Sequence, residues 1–118
     1  MTDIYNVSLP HQGALDVDGR AVTAYANKDT DITHLAGLVS KHPLKSGSDT
    51  GSKIGVINDA DIPYCSTRAE FFAGLLRAAS LKHDESLCVR TNEGRWALVQ
   101  IAFPRSNYLL KLRIGFLK

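Results

Sequence analysis

Residues 86–118 read SLCVR TNEG RWALVQIAF PRSN YLLKLRIGFLK, and the alternation within this stretch decides how the chain folds. Leu87 to Arg90, Arg95 to Phe103 and Tyr108 to Leu117 are β-prone runs, and turn chemistry separates them at Asn92-Glu93-Gly94 and at Pro104-Arg105-Ser106-Asn107. Successive side chains of a strand point to opposite faces. Tyr108, Leu110, Leu112, Ile114 and Phe116 therefore share one face with Ala97, Val99, Ile101 and Phe103, which is the expected core face. The other face carries Cys88, Arg90, Trp96, Leu98, Gln100, Lys111 and Arg113. A face that mixes Trp and Leu with Arg and Lys is too apolar for plain solvent and too charged for a second core, so it is expected to meet a partner.

The charge pattern points the same way. Over its 118 residues the chain has a formal net charge of only +2, yet residues 86–118 hold six of the Lys and Arg against Glu93 alone. The basic character belongs to the C-terminal sheet, and an anionic partner follows: a phosphate-bearing small molecule, a nucleic acid, or an acidic protein face. The hydrophobic content of 44% and charged content of 22% suit a globular protein, and the length suits a single domain over residues 1–118.

Upstream, Ile4 to Leu9 alternates as a half-buried strand stopped by Pro10, and Asp18-Gly19 between Ala14–Val17 and Arg20–Ala26 is a hairpin signal. Ile32, Leu35, Ala36 and Val39 recur at helical spacing behind a Thr30 or Asp31 cap, which predicts a helix ending before Pro43. Lys53 to Ile57 is a short interior strand. Thr67-Arg68-Ala69-Glu70 has the pattern of a capping box, and with Phe72, Leu75, Leu76 and Ala79 behind it predicts a second helix to about Leu81. The resulting fold class is α+β: a mostly antiparallel sheet in the order β-β-β-α-β-α-β-β-β, with two helices packed on one face.

Between the first helix and the Lys53 strand lies Leu44-Lys-Ser-Gly-Ser-Asp-Thr-Gly-Ser-Lys53. Its glycines, hydroxyls and lysines suit a phosphate, although the spacing is not that of a P-loop. The expected ligand-binding set is therefore Arg90, Arg95, Trp96, Lys111 and Arg113 from the sheet, with Lys45, Ser46, Gly47, Ser48 and Lys53 closing over the anion. No cofactor, metal or catalytic residue is expected. Asp16/Asp18 and Asp59/Asp61 are Asp-x-Asp pairs that could hold a divalent cation, but aspartate is also ordinary turn chemistry. Cys65 and Cys88 fit no zinc spacing and read as buried free thiols.

The sequence thus suggests a non-catalytic binding protein, a homo-oligomer in the cytoplasm that sequesters a nucleotide signal or blocks a protein partner, as a phage or bacterial regulator would. No apolar run is long enough to span a bilayer. Two other readings stand beside it: a small metal-independent nuclease or hydrolase using histidines or Cys65, and a purely structural oligomerisation module built on the Trp96 face.

Overall fold

A computed structural model of the chain describes residues 2–10, 12–34, 43–46, 51–72, 76–77, 81–101 and 109–117. Among these are eleven strands: β1 Thr2–Pro10, β2 Ala14–Asp16, β3 Ala21–Thr23, β4 Ile32–His34, β5 Pro43–Ser46, β6 Lys53–Asn58, β7 Glu70–Phe72, β8 Leu76–Arg77, β9 Glu85–Arg90, β10 Trp96–Ile101 and β11 Leu109–Phe116. A 3-10 turn, Asp59–Tyr64, leads into a four-residue helix α1, Cys65–Arg68. Six strands form a larger sheet in the order β1-β11-β10-β9-β6-β7, and five form a smaller one in the order β3-β2-β4-β5-β8. Adjacent strands in both are antiparallel.

The two sheets bury one apolar layer between them. Leu15, Ile32 and Leu44 from the smaller sheet pack in the same cluster as Val89, Ala97, Val99, Leu110, Leu112, Ile114 and Phe116 from the larger. On β11 the buried side chains are the ones that alternation predicts, as far as that strand is described; on β10 Ala97, Val99 and Ile101 are buried as expected, but Leu98 of the opposite face is buried too. Tyr108 and Phe103 lie outside the described residues. The Asp18-Gly19 hairpin forms between β2 and β3, and Gly94 takes φ +82° in the turn between β9 and β10.

The α+β expectation is wrong. Among the described residues the structure is mostly antiparallel sheet, 57% strand against 11% helical, and no two helices pack on a sheet face. The smaller sheet does the covering that was expected of them. In the first predicted helix, Ile32 and His34 are fully buried on either side of half-buried Thr33, a strand alternation, and β4 pairs with β2 and β5. Residues 35–42 lie outside the described residues. A short apolar run satisfies both periods, so the pairing partner decided.

The second predicted helix stops at Arg68, because Thr67 lies inside the turn and gives its hydroxyl to the Tyr64 carbonyl at 3.2 Å instead of capping. Ala69 is extended (φ −69°, ψ 140°), and the β-prone Glu70-Phe71-Phe72 then pairs with β6. A few residues later, β8 pairs with β5 of the other sheet. The described parts of what reads as one helix thus strap the edges of the two layers, β7 on the larger sheet and β8 on the smaller, while residues 73–75 and 78–80 lie outside the described residues.

On its outer face the larger sheet has a second, smaller cluster. Ile57, Cys65, Cys88 and Leu98 are buried there, with Ile62, Ala69, Trp96 and Leu117 against them. Cys65 and Cys88 are not free thiols: they form a disulfide, with a Cα–Cα distance of 5.9 Å, that pins α1 to β9. The 59–72 segment thus covers the outer face over β6 and β9 and leaves it open over β1 and β11.

Candidate functional site

Strand register builds the open part of that face. Arg113 on β11 lies opposite Asn6 on β1 and Gln100 on β10, and Lys111 lies opposite Ser8. Because directly paired residues point the same way, these five side chains share the outer surface. They line a cleft of about 450 Å³, with Val7, Ile101 and Leu112 contributing to its wall. Leu112 and Ile101 are core residues whose side chains turn inward, so the floor is stiff. None of these lining residues is acidic. Lys111 and Arg113 are exposed two positions apart on one strand, roughly 7 Å along it, a spacing that two oxygens of one phosphate or of neighbouring phosphates can bridge.

Lys111 and Arg113 are the part of the sequence-predicted set that meets in this cleft. Arg90, Trp96 and Lys53 sit together at the opposite end of the outer face, where Trp96 pairs with Arg90 and Arg90 with Lys53. Trp96 is half-buried rather than an open plate, its ring 5.7 Å from that of Phe71. Arg95 turns to the other side of the sheet: its guanidinium lies 3.7 Å over the Phe116 ring and 3.6 Å from Asp18. Lys45 is exposed on β5 of the smaller sheet, which also contains Ser46. Gly47 and Ser48 lie outside the described residues. Asn6, Ser8 and Gln100 were not in the expected set. Alternation places Asn6 and Ser8 on the polar side of β1, but only the β1–β11 pairing brings them to the cations.

The chain matches no protein-family model, no curated protein and no solved structure. Function therefore rests on the side chains themselves.

A second polar constellation lies at the β2–β3 hairpin. One oxygen from each of Asp16, Asp18 and Asp31 falls within 4.8 Å of the others. Asp31 is fully buried and accepts from the Val17 amide at 2.9 Å, the Ser52 hydroxyl at 2.6 Å and the Asn92 amide at 2.8 Å. Asp59 and Asp61 do not join this cluster. Asp59 accepts from Ser86, and Asp61 pairs with Arg68.

Burial is the main cause that raises the carboxyl pKa of both Asp18 and Asp31 above the ordinary aspartate range. At Asp18, Glu93 adds to the shift, while Thr91 and Arg95 oppose it. At Asp31 the donors from Ser52, Asn92 and Val17 oppose the shift and the charge of Asp18 adds to it. A carboxyl with a raised folded pKa keeps a proton that the unfolded chain has already released. Its contribution to stability is therefore full below the unfolded value, about 4, and is lost as pH rises through the folded one. The urea midpoint should rise as pH is lowered from neutrality toward the unfolded aspartate value, about 4, and Asp18→Asn should flatten that slope. A midpoint that falls over this interval in both proteins would mean that other groups govern the pH response.

Histidine and cysteine chemistry finds less support. Cys65 is bonded to Cys88 and offers no thiolate. His34 is buried in β4 with Nδ1 3.2 Å from the Leu9 carbonyl, and His83 is exposed in the turn before β9. His11 and His42 lie outside the described residues.

Proposed function

We propose that the chain is a non-catalytic binding protein that takes up a phosphate-bearing small molecule on the outer face of its larger sheet, in the cleft between β1, β11 and β10. The observation that carries this reading is a cleft of about 450 Å³ whose charged lining residues among those described, Lys111 and Arg113, are both cations. That volume lies within the range of small-molecule sites, about 300–1,000 Å³. Asn6, Ser8 and Gln100 add neutral donors and acceptors, and such groups fix a ligand's orientation. A nucleic acid is the weaker partner: two phosphate contacts give a salt slope of only about −2, where binders of a long duplex neutralise about 6–10 phosphates.

A thermal-shift screen with nucleoside mono-, di- and triphosphates and with pyrophosphate tests this reading, because a ligand that binds only the folded state raises its melting temperature. Lys111→Ala and Arg113→Ala should each weaken the ligand found by about tenfold or more, the worth of one charge-assisted hydrogen bond. Both side chains are exposed, so stability should change by no more than about 0.5 kcal/mol. Equal binding by the double variant, or no shift with any of these anions, would remove the cleft as the site.

The Cys65–Cys88 bridge supports a place in an oxidising compartment over the cytoplasmic one that the sequence suggested. No helix among the described residues is long and apolar enough to cross a membrane.

A further inference from the structure

We infer that Asp16, Asp18 and Asp31 form a divalent-cation site, and that the cation is Ca²⁺. The cluster supplies three carboxylates from the β2–β3 hairpin and the start of β4, with one oxygen of each within 4.8 Å of the others. An acidic cluster alone would not carry this. The deciding observation is Asp18, whose side chain is only 5% exposed while both of its oxygens lack a hydrogen-bond partner. A buried carboxylate is normally satisfied by donors, and one without them has a cation or a proton as its counterpart.

The neighbouring cations fill that role only in part. The Arg95 guanidinium approaches Asp18 Oδ1 only to 3.6 Å, beyond hydrogen-bond distance, and is held over the Phe116 ring. Arg20 is stacked on Tyr5, with its guanidinium carbon 5.0 Å from the ring centroid. Glu93 adds a further negative charge beside Asp18. The ligands are oxygens only, which selects a hard cation over zinc or copper.

The site's shape favours Ca²⁺ over Mg²⁺. Ca²⁺ bonds oxygens at about 2.3–2.6 Å in irregular shells, so ligands within 4.8 Å of one another can close on it without rearranging the hairpin. Mg²⁺ demands a near-regular octahedron at about 2.0–2.1 Å and gives up its waters reluctantly, which an enclosed group such as Asp18 would force on it. Asp16 Oδ1 already accepts from the Gly19 amide at 3.0 Å, and Asp31 is held by three donors. Two of the three ligands are therefore oriented before the ion arrives, a property that favours affinity.

The test uses the whole 118-residue chain after treatment with a chelator. CaCl₂ should raise the melting temperature in a concentration-dependent way, by about 5–10 °C at a hundredfold excess over Kd. Tb³⁺ should become luminescent through tyrosine excitation, because the Tyr5 hydroxyl donates to the Val17 carbonyl beside the cluster, and Ca²⁺ should quench that signal by displacement. Asp18→Asn should abolish both responses. If that variant does not fold, Asp16→Asn, at a half-buried hairpin position, should weaken Ca²⁺ at least tenfold. No melting shift and no terbium signal at about 10 mM metal, well above the Kd of weak extracellular calcium modules, would overturn the site. So would a full response in a folded Asp18→Asn. A Mg²⁺ shift equal to that of Ca²⁺ would overturn the choice of ion.

Discussion

Replacing Asp31 with alanine should destabilise the protein by about 3–5 kcal/mol, more than any other single polar change among the described residues. Asp31 is fully buried, and its carboxylate accepts from Val17, Ser52 and Asn92, residues 14, 21 and 61 positions away in the chain. It ties the end of β2, the start of β6 and the turn between β9 and β10 to the start of β4. Truncation takes one acceptor away from two buried donors and the part-buried Asn92 amide, at roughly 1–3 kcal/mol for each that finds no other partner. Against that stands relief: burial raises the Asp31 pKa, so removing the charge returns part of its desolvation cost. Three lost bonds outweigh one relieved charge, and the sign is destabilising.

Asp31→Asn separates the two effects. Its carbonyl oxygen can still accept from Ser52 and Asn92, but its amide then faces the Val17 N–H, donor against donor. A loss of about 2 kcal/mol is expected there, between wild type and Asp31→Ala. Urea unfolding followed by Trp96 fluorescence measures all three proteins. If Asp31→Ala costs under about 1 kcal/mol, desolvation governs this site and the carboxylate is not what joins the four segments.

None of that knot is legible from the residue order. Asp31 precedes an apolar run, which is where a helix cap stands, and its three donors come from segments that nothing local connects to it. The C-terminal strands were legible because their signal is local: alternation alone separates Leu110, Leu112, Ile114 and Phe116 from Lys111 and Arg113, and burial follows it. The same limit divides the cleft. Lys111 and Arg113 could be placed on the outer face by parity, whereas Asn6 and Ser8 reach them only through β1–β11 pairing, which joins positions as far apart as Thr2 and Phe116. Residues 70–72 failed for a different reason. Thr67-Arg68-Ala69-Glu70 has the letters of a capping box, but the preceding 3-10 turn already fixes where helical geometry begins, and Phe71-Phe72 has an open edge of β6 to pair with. Cys65 and Cys88, 23 positions apart and without a second pair, offered no pattern to read.

That disulfide leads to the other large expected effect. Replacing both cysteines with alanine should lower stability by about 3–4 kcal/mol and the melting temperature by on the order of 10–15 °C. The size follows from the 23-residue separation that the bridge closes in the unfolded chain, and little of it from side-chain packing in the folded one. Where the loss is felt depends on the two-cluster core. Cys65 and Cys88 belong to the small outer cluster with Ile57 and Leu98, while the layer between the sheets contains neither. The 59–72 segment should therefore loosen first, baring Leu98 and Ile57, while β9, β10 and β11 keep their protection. Amide exchange should rise in α1 and β7 well before it rises at Val89, Val99 or Ile114. A thiol reagent should find no reactive cysteine in the native oxidised protein and two after unfolding in reductant. Two reactive thiols in native protein prepared under oxidising conditions would mean that the bridge does not form, and uniform exchange across both clusters would mean that the strap and the sandwich unfold as one unit.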